Sequence, residues 1–147
     1  MTVPLDILGL LPHGPSFVMV SRVVSHRPGE LATSKEWALS DGVIEDHFPK
    51  GPKVVPGVLI AEQAAQSAFL LAILDGLAAP NEVFFLASSR CEFLAPALAP
   101  CSVIAQTELT AVVGGRIGFQ SRCSVREQIV ARIKGIASPP LRGAMVS

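Results

Sequence analysis

Residues 58–74, VLIAEQAAQSAFLLAIL, form the longest apolar segment of the chain. Small and large apolar residues recur at helical spacing with few β-branched residues, which predicts one long helix over residues 58–76. Because this helix is apolar nearly all round, the rest of the chain must wrap it. Four polar residues interrupt the segment: Glu62, Gln63, Gln66 and Ser67. Their presence favours a buried helix over a membrane span.

The segments around this helix have the patterns of shorter elements. Residues 5–11 predict a short amphipathic helix that ends at Pro12, and residues 27–30 predict a hairpin turn. Strand-like runs are predicted at residues 17–25, 31–39, 82–94, 102–113, 116–125 and 128–137. Tight turns are predicted at Gly114-Gly115 and at Arg126-Glu127. Residues 40–56 lack periodicity and predict a long loop, and residues 138–147 predict a loose tail.

The predicted order is a helix, two strands, a long loop, the buried helix and four strands. An antiparallel β-sheet wrapped around a long central α-helix satisfies this order, so the predicted fold class is α+β. A chain of 147 residues is the size of one domain, and we expect residues 1–147 to form it. Half of the residues are hydrophobic and only 16% are charged, so part of the apolar surface is expected to cover a subunit interface.

Charge and cysteine content argue against several classes of partner. Lys and Arg total 12 and Asp and Glu total 12, so no net field attracts nucleic acid or an anionic membrane. The three cysteines are odd in number and lack a C-x-x-C spacing, which argues against a disulfide framework or a zinc site. The N-terminal segment has no basic start and no cleavage pattern of a signal peptide. These features predict a cytoplasmic protein without a metal.

The segment HFPKGPKVVPGVLIAEQAAQ combines residue types that carry proton-transfer chemistry. At its predicted helix start, the N–H groups of Gly57 and Val58 can stabilise a developing negative charge, and Gly57 lets a ligand approach the backbone. Glu62 lies on the same helix, and Gln66 one turn further can orient its carboxyl group. Burial favours the protonated form of a carboxyl group, which suits an acid, and the loop residue His47 can act as a base.

Several of these residues also have structural interpretations. A glutamate on an apolar helix is more often a partly exposed or paired residue, and spacing alone leaves both interpretations of Glu62 open. His13 is expected to be a structural residue of a turn. Lys50, Lys53 and Arg90 either steer an acidic partner or are solvated surface charges.

The central segment carries a specific motif. It resembles the signature of the FabZ-type 3-hydroxyacyl-acyl-carrier-protein dehydratases, a hot-dog-fold family, at His47-Phe48-Pro49, at Pro52 and at residues 56–66, PGVLIAEQAAQ. Further similar residues flank the motif at Leu10-Leu11-Pro12-His13, at Arg22-Val23 and at residues 93–100. The resemblance covers nearly the whole chain and implies a hot-dog fold.

The resemblance implies a reaction and a role for each matching residue. His47 takes the C2 proton of a (3R)-3-hydroxyacyl thioester, and Glu62 protonates the departing C3 hydroxyl group. The amides of Gly57 and Val58 polarise the thioester carbonyl, and Gln66 orients Glu62. The product is the trans-2-enoyl thioester, and the resemblance implies no cofactor and no metal.

The resemblance also implies partners. The acyl chain is carried by acyl carrier protein, which Lys50, Lys53 and Arg90 are candidates to contact. Members of the family form homodimers in which the histidine and the glutamate of one site come from different subunits. Hexamers built of three dimers are also common in the family, so both assemblies are expected here.

Departures from the family pattern leave alternatives open. The segment between His47 and Glu62 is one residue longer than usual, Asp46 replaces a glycine and Gly14 replaces an arginine. These changes favour a specialised dehydratase of polyketide or polyene assembly over the fatty-acid enzyme. The alternatives are a hot-dog acyl thioesterase, a catalytically weak subunit paired with an active homologue in a heterodimer, and a module that only binds acyl chains.

Overall fold

The computed structural model of the chain describes residues 5–139. Its helices are α1 (Ile7–Leu10), α2 (Gly42–His47) and α3 (Gly57–Leu74), and a short 3-10 helix covers Pro15–Phe17. Its strands are β1 (Arg22–Arg27), β2 (Glu30–Trp37), β3 (Phe85–Phe93), β4 (Cys101–Val113), β5 (Arg116–Val125) and β6 (Gln128–Ser138). Of the predicted tail, Ser138 belongs to β6, and residues 140–147 lie outside the described part of the chain.

The six strands form one antiparallel sheet in the order β1-β2-β4-β5-β6-β3. Helix α3 contacts five of these strands, β2 to β6, so the sheet wraps the helix as predicted. The predicted turns are confirmed, since Gly29, Gly114 and Gly115 have positive φ angles. Arg126 and Glu127 also have positive φ angles, as the second tight turn requires.

Helix α3 is the core of the molecule. Every residue from 63 to 72 is buried, and Leu70 and Leu71 are completely inaccessible. Burial of each of these leucines contributes about 1.5 to 3 kcal/mol. The helix has 18 residues and a mean hydropathy of 1.6, the length and composition of a membrane span, but 61% of it is buried inside the protein. It is therefore packed as the core helix of a folded domain.

A closed ring of hydrogen bonds fixes the rotation of α3 inside the sheet. The amide of Gln63 donates to the Thr33 hydroxyl oxygen at 3.4 Å and to the carbonyl oxygen of Val103 at 3.0 Å. The Ser67 hydroxyl group donates to the Gln63 carbonyl oxygen at 2.7 Å, so in the 2.7 Å contact between Thr33 and Ser67 the Thr33 hydroxyl group is the donor. These buried polar side chains are paired with the sheet, which permits their burial.

The segment predicted as one long loop contains a helix. Residues 40–56 include α2, Gly42–His47, which begins after Asp41 and buries only Ile44. A helix of six residues with one buried side chain has too few turns to give a periodic pattern, which is why the sequence did not indicate it. Two strands also begin later than predicted, at Arg22 and at Phe85.

The end of α3 is attached to the β1–β2 hairpin through Asp75. One carboxylate oxygen of Asp75 accepts the N–H of Gly29 at 2.7 Å, and the other lies 2.9 Å from Nε2 of His26. The Asp75 side chain is only 12% exposed, so solvent screens these contacts weakly. The hairpin is thereby connected to the C-terminal end of α3, opposite the helix start at Gly57.

Replacement of this carboxylate should destabilise the fold. We expect Asp75→Ala to lower the free energy of unfolding by about 1 to 3 kcal/mol, because it leaves the Gly29 N–H without an acceptor. Urea denaturation followed by circular dichroism measures the change. The matched control is Glu30→Ala, which removes the exposed pair with Arg27 in the same hairpin and should leave stability unchanged. Equal losses in the two variants would contradict the assigned role of Asp75.

Candidate active site

The start of α3 presents two backbone N–H groups without a partner. Pro56 is the N-cap residue, and its carbonyl oxygen accepts the N–H of Leu59 at 3.0 Å. Within residues 5–139, the N–H groups of Gly57 and Val58 have no acceptor. Because free N–H groups and the helix dipole make a helix start partially positive, these two amides can bind a carbonyl oxygen that gains negative charge.

The lack of a side chain at Gly57 makes room for Phe93 of β3. A Cβ atom at Gly57 would lie 2.9 Å from the Phe93 ring, closer than real Cβ atoms approach a neighbour. The sequence predicts that Gly57 lets a ligand approach the backbone, but in the structure the Phe93 ring occupies that side of the glycine. Phe93 remains 52% exposed, so its ring lies between the helix start and the molecular surface.

The buried amide of Gln66 connects α3 to the N-terminal segment. Its oxygen accepts the N–H of Met19 at 2.7 Å, and its nitrogen donates to the carbonyl oxygen of Phe17 at 2.8 Å. A backbone N–H can only donate and a carbonyl oxygen can only accept, so these two bonds determine which end of the amide is which. The second N–H of the Gln66 amide donates to Oε1 of Glu62 at 3.0 Å.

The carboxyl group of Glu62 is held by one oxygen only. Oε1 accepts from Gln66, whereas Oε2 has no hydrogen-bond partner within residues 5–139. Because Oε1 faces a donor, a protonated Glu62 carries its proton on Oε2. The side chain is 24% exposed, so Oε2 is the oxygen available to an incoming molecule.

A residue that the sequence assigned to a turn lies beside this carboxyl group. Nε2 of His13 is 3.7 Å from Oε1 of Glu62, and the His13 side chain is 18% exposed. The His13 ring stacks on Phe17 and on Phe69, with centroid distances of 6.0 and 6.2 Å. No spacing in the sequence relates position 13 to position 62. The sequence signal for His13 is its place in Leu10-Leu11-Pro12-His13, one of the segments that resemble the family pattern.

His47 is the last residue of α2, and its ring orientation is fixed. Nδ1 lies 2.8 Å from the carbonyl oxygen of Val54, and the ring stacks on Phe48 with a centroid distance of 4.0 Å. Because a carbonyl oxygen can only accept, Nδ1 carries the hydrogen of this bond. The neutral imidazole therefore keeps a lone pair on Nε2, which is the form that accepts a proton.

Backbone hydrogen bonds attach the loop after His47 to the loop between β3 and β4. The N–H of Val55 donates to the carbonyl oxygen of Ala97, and the N–H of Ala99 donates to that of Lys53, both at 2.8 Å. The Lys53 ammonium group also donates to the carbonyl oxygen of Pro49 at 3.2 Å. Within this loop, the Val54 N–H donates to the Pro52 carbonyl oxygen at 3.0 Å and closes a tight turn.

The other predicted site residues are distributed around this loop and the sheet edge. No hydrogen bond or ion pair within residues 5–139 joins His47 to Glu62. Lys53 is partly engaged by its own loop, whereas Lys50 is exposed. Arg90 is exposed on β3 and lies opposite Lys134 of β6. The described residues contain no cluster of three His, Cys, Asp or Glu side chains that could hold a metal ion.

Strand β3 forms an edge of the sheet, and no strand among residues 5–139 pairs with its outer side. All its residues except Cys91 are exposed. The exposed large apolar side chains on β3 and near the helix start include Phe48, Val58, Phe85, Leu86, Phe93, Leu94 and Leu98. An open edge strand with apolar side chains is a site for pairing with another chain.

Solved structures share this architecture. The dehydratase heterocomplex ApeI:P from Xenorhabdus doucetiae superimposes with a TM-score of 0.78 and 17% identity, over 98% of this chain and 95% of that chain. A hypothetical thioesterase protein with coenzyme A from Streptococcus pneumoniae TIGR4 gives a TM-score of 0.66 and 10% identity, over 84% and 88% of the two chains. Identities this low show the fold alone. The protein has the hot-dog fold, as the resemblance implied.

Sequence relatives identify the family within this fold, although no protein-family model matches the chain. The 3-hydroxyacyl-[acyl-carrier-protein] dehydratase FabZ of Wolbachia sp. subsp. Drosophila simulans (strain wRi) is 32% identical over 128 residues, 86% of this chain and 88% of the relative. FabZ of Polynucleobacter asymbioticus is 32% identical over 139 residues, 94% and 93% of the two chains. FabZ of Oleidesulfovibrio alaskensis is 44% identical over 69 residues, which span 46% of this chain and 44% of that relative. The chain belongs to the FabZ family of hot-dog dehydratases.

Removal of the Gln66 amide should cost more stability than removal of a neighbouring buried amide. We expect Gln66→Leu to lower the free energy of unfolding by about 2 to 4 kcal/mol, because the Met19 N–H and the Phe17 carbonyl oxygen lose their partner. Gln63→Leu is the control. It likewise removes a buried amide, but the amide oxygen of Gln63 has no partner within residues 5–139, so this variant should lose about half as much stability. Urea denaturation of both variants measures the two losses of unfolding free energy. A smaller loss in Gln66→Leu than in Gln63→Leu would contradict this account.

Proposed function

We propose that the protein removes water from a (3R)-3-hydroxyacyl thioester on acyl carrier protein and releases the trans-2-enoyl thioester. Membership of the FabZ family supports this reaction. The observation that carries the proposal is the 2.8 Å contact of His47 Nδ1 with the Val54 carbonyl oxygen, because in the neutral imidazole it places the hydrogen on Nδ1 and leaves the Nε2 lone pair to act as a base.

In the proposed reaction, His47 acts on C2 of the acyl chain and Glu62 acts on C3. Nε2 of His47 takes the C2 proton, and the electrons of the C–H bond move toward the thioester carbonyl, whose oxygen is stabilised by the amides of Gly57 and Val58. Oε2 of Glu62 gives its proton to the C3 hydroxyl group, which leaves as water while the C2–C3 double bond forms. Each turnover leaves His47 protonated and Glu62 ionised, so both exchange a proton with solvent before the next one.

We propose that the site is completed in a dimer. Two observations support pairing through β3: within the described residues its outer edge is unpaired, and large apolar side chains on the strand are exposed. The separate anchoring of His47 and Glu62 within one chain supports a site in which His47 of one subunit meets Glu62 of the other. Hexamers of three such dimers remain within this proposal.

The carrier protein and the pathway belong to the same proposal. The exposed charges of Lys50 and Arg90 lie on the His47 loop and on β3, where an acidic carrier protein could be attracted. Lys53 has a weaker claim, because its ammonium group already bonds its own loop. The departures from the family motif support a specialised role in polyketide or polyene assembly, and the reaction is expected in the cytoplasm.

The names of two structural neighbours correspond to the alternative functions. The neighbour called a hypothetical thioesterase, bound to coenzyme A, keeps acyl hydrolysis as a second candidate, in which Glu62 would activate water. The neighbour called a dehydratase heterocomplex keeps pairing with a homologous subunit as a candidate assembly. Hydrolysis releases a free thiol and no enoyl product, so the chemical outcome distinguishes the two reactions.

The first test is mass spectrometry of 3-hydroxyacyl carrier proteins of several chain lengths after incubation with the protein. We expect loss of one water and no free thiol.

Glu62→Gln should remain folded and lose about 100- to 10,000-fold in turnover, because the amide cannot donate the required proton to a leaving hydroxyl group. Unchanged turnover in Glu62→Gln would refute its role as the acid, and a free acid product would favour the thioesterase.

A complementation experiment tests the shared site. The variants His47→Ala and Glu62→Ala are each expected to be inactive, and unfolding and refolding them together produces mixed dimers. Random pairing makes half of the dimers mixed, and each mixed dimer has one intact site of two, so about a quarter of wild-type activity should return. Native mass spectrometry verifies the exchange. Absence of recovery after proven exchange would show that His47 and Glu62 act within one subunit.

A further inference from the structure

The His13 side chain contacts two aromatic residues and lies beside Glu62 of the candidate site. Its ring stacks on the aromatic rings of Phe17 and Phe69, and its Nε2 lies 3.7 Å from Oε1 of Glu62. On the other side of the ring, Nδ1 is buried and has no hydrogen-bond partner within the described residues. The proposed reaction uses neither nitrogen.

The surroundings of the ring determine where its hydrogen lies. A neutral imidazole has one N–H donor and one lone pair. With the hydrogen on Nε2, the N–H faces a carboxyl oxygen that accepts, and only a lone pair is left unpaired at Nδ1. With the hydrogen on Nδ1, a buried N–H has no acceptor and the Nε2 lone pair faces the lone pairs of Glu62. The Nε2–H form is therefore the favoured one.

This form gives Oε1 of Glu62 a second donor. Gln66 already donates to Oε1 at 3.0 Å, and His13 approaches the same oxygen from a different part of the chain. A distance of 3.7 Å is longer than a hydrogen bond, but such contacts tighten when the reacting state builds charge on the acceptor. Oε1 gains negative charge when the acid gives up its proton.

We propose that His13 is a positioning residue that acts through Glu62. Together with Gln66 it keeps Oε1 as the acceptor oxygen, so that the acid proton stays on Oε2, and its N–H stabilises the carboxylate that remains after proton donation. This inference rests on the proposed dehydration, in which Glu62 is the acid. It assigns to His13 an effect on turnover rather than on substrate binding.

Two substitutions at position 13 separate this role from simple packing. His13→Phe keeps an aromatic ring that can stack on Phe17 and Phe69 but removes the N–H donor. His13→Gln removes the ring but can place an amide N–H close to the position of Nε2. If the donor matters, His13→Phe loses about 10- to 100-fold in kcat with KM nearly unchanged, and His13→Gln retains most of the activity.

If His13 only fills space, the order reverses: His13→Phe keeps wild-type kcat and His13→Gln loses stability and activity. That order overturns the proposal. Equal losses in two variants that urea denaturation shows to be folded also overturn it, because the donor would then have no separate effect. Urea denaturation is measured for both variants, so that a loss of kcat is scored only against the folded fraction.

A spectroscopic measurement tests the inference without using activity. Nitrogen-15 NMR of histidine-labelled protein, with His13→Phe used to assign the signal, should show the hydrogen of His13 on Nε2. Hydrogen on Nδ1 would overturn the proposal. If the wild-type protein dehydrates no 3-hydroxyacyl carrier protein, the proposed function fails, and the NMR result still decides whether His13 offers a donor to Glu62. The two failures are thus distinguishable.

Discussion

The amide of Gln66 is the interaction on which the geometry of the candidate site depends. Two of its hydrogen bonds go to backbone groups, the N–H of Met19 and the carbonyl oxygen of Phe17, and only the third goes to Glu62. Since backbone groups cannot rotate to reverse their polarity, the orientation of the Glu62 carboxyl group is set by the main chain. The same bonds attach the N-terminal segment to α3, so any shift of that segment along the helix would also move the carboxyl group. Stability and site geometry are therefore coupled through one fully buried side chain.

Hydrogen-bond polarity also separates the two proton-transfer roles in the proposed mechanism. The Val54 carbonyl oxygen requires a hydrogen on Nδ1 of His47, which leaves Nε2 as an acceptor of protons. The Gln66 amide requires a lone pair on Oε1 of Glu62, which leaves Oε2 as the place for a proton. In the proposed mechanism, these fixed hydrogen bonds therefore orient His47 to accept a proton and Glu62 to donate one.

The sequence predicted most of the fold because one constraint dominated it. A helix that is apolar all round must be buried by the rest of the chain, and the strand runs and glycine turns supplied a sheet to bury it. Helix α2 was missed because it buries Ile44 alone, which leaves no period to detect. The contact of His13 with Glu62 was missed because it joins positions far apart in the chain and depends on stacking against Phe69. Local patterns predict elements, whereas contacts of this kind depend on how the elements pack.

In the proposed dimer, the exposed edge of the sheet brings together parts of the site that one chain keeps apart. Phe93 at the end of β3 covers Gly57, the residue whose amide begins α3, so the sheet edge and the proposed oxyanion site occupy one region of the surface. A second copy that pairs with β3 would bury this ring and close the open side of the helix start. It would also exclude water from the two free amides, and exclusion of water strengthens their interaction with a developing charge. In the proposed dimer, pairing at the edge and chemistry at the helix start would therefore use one surface.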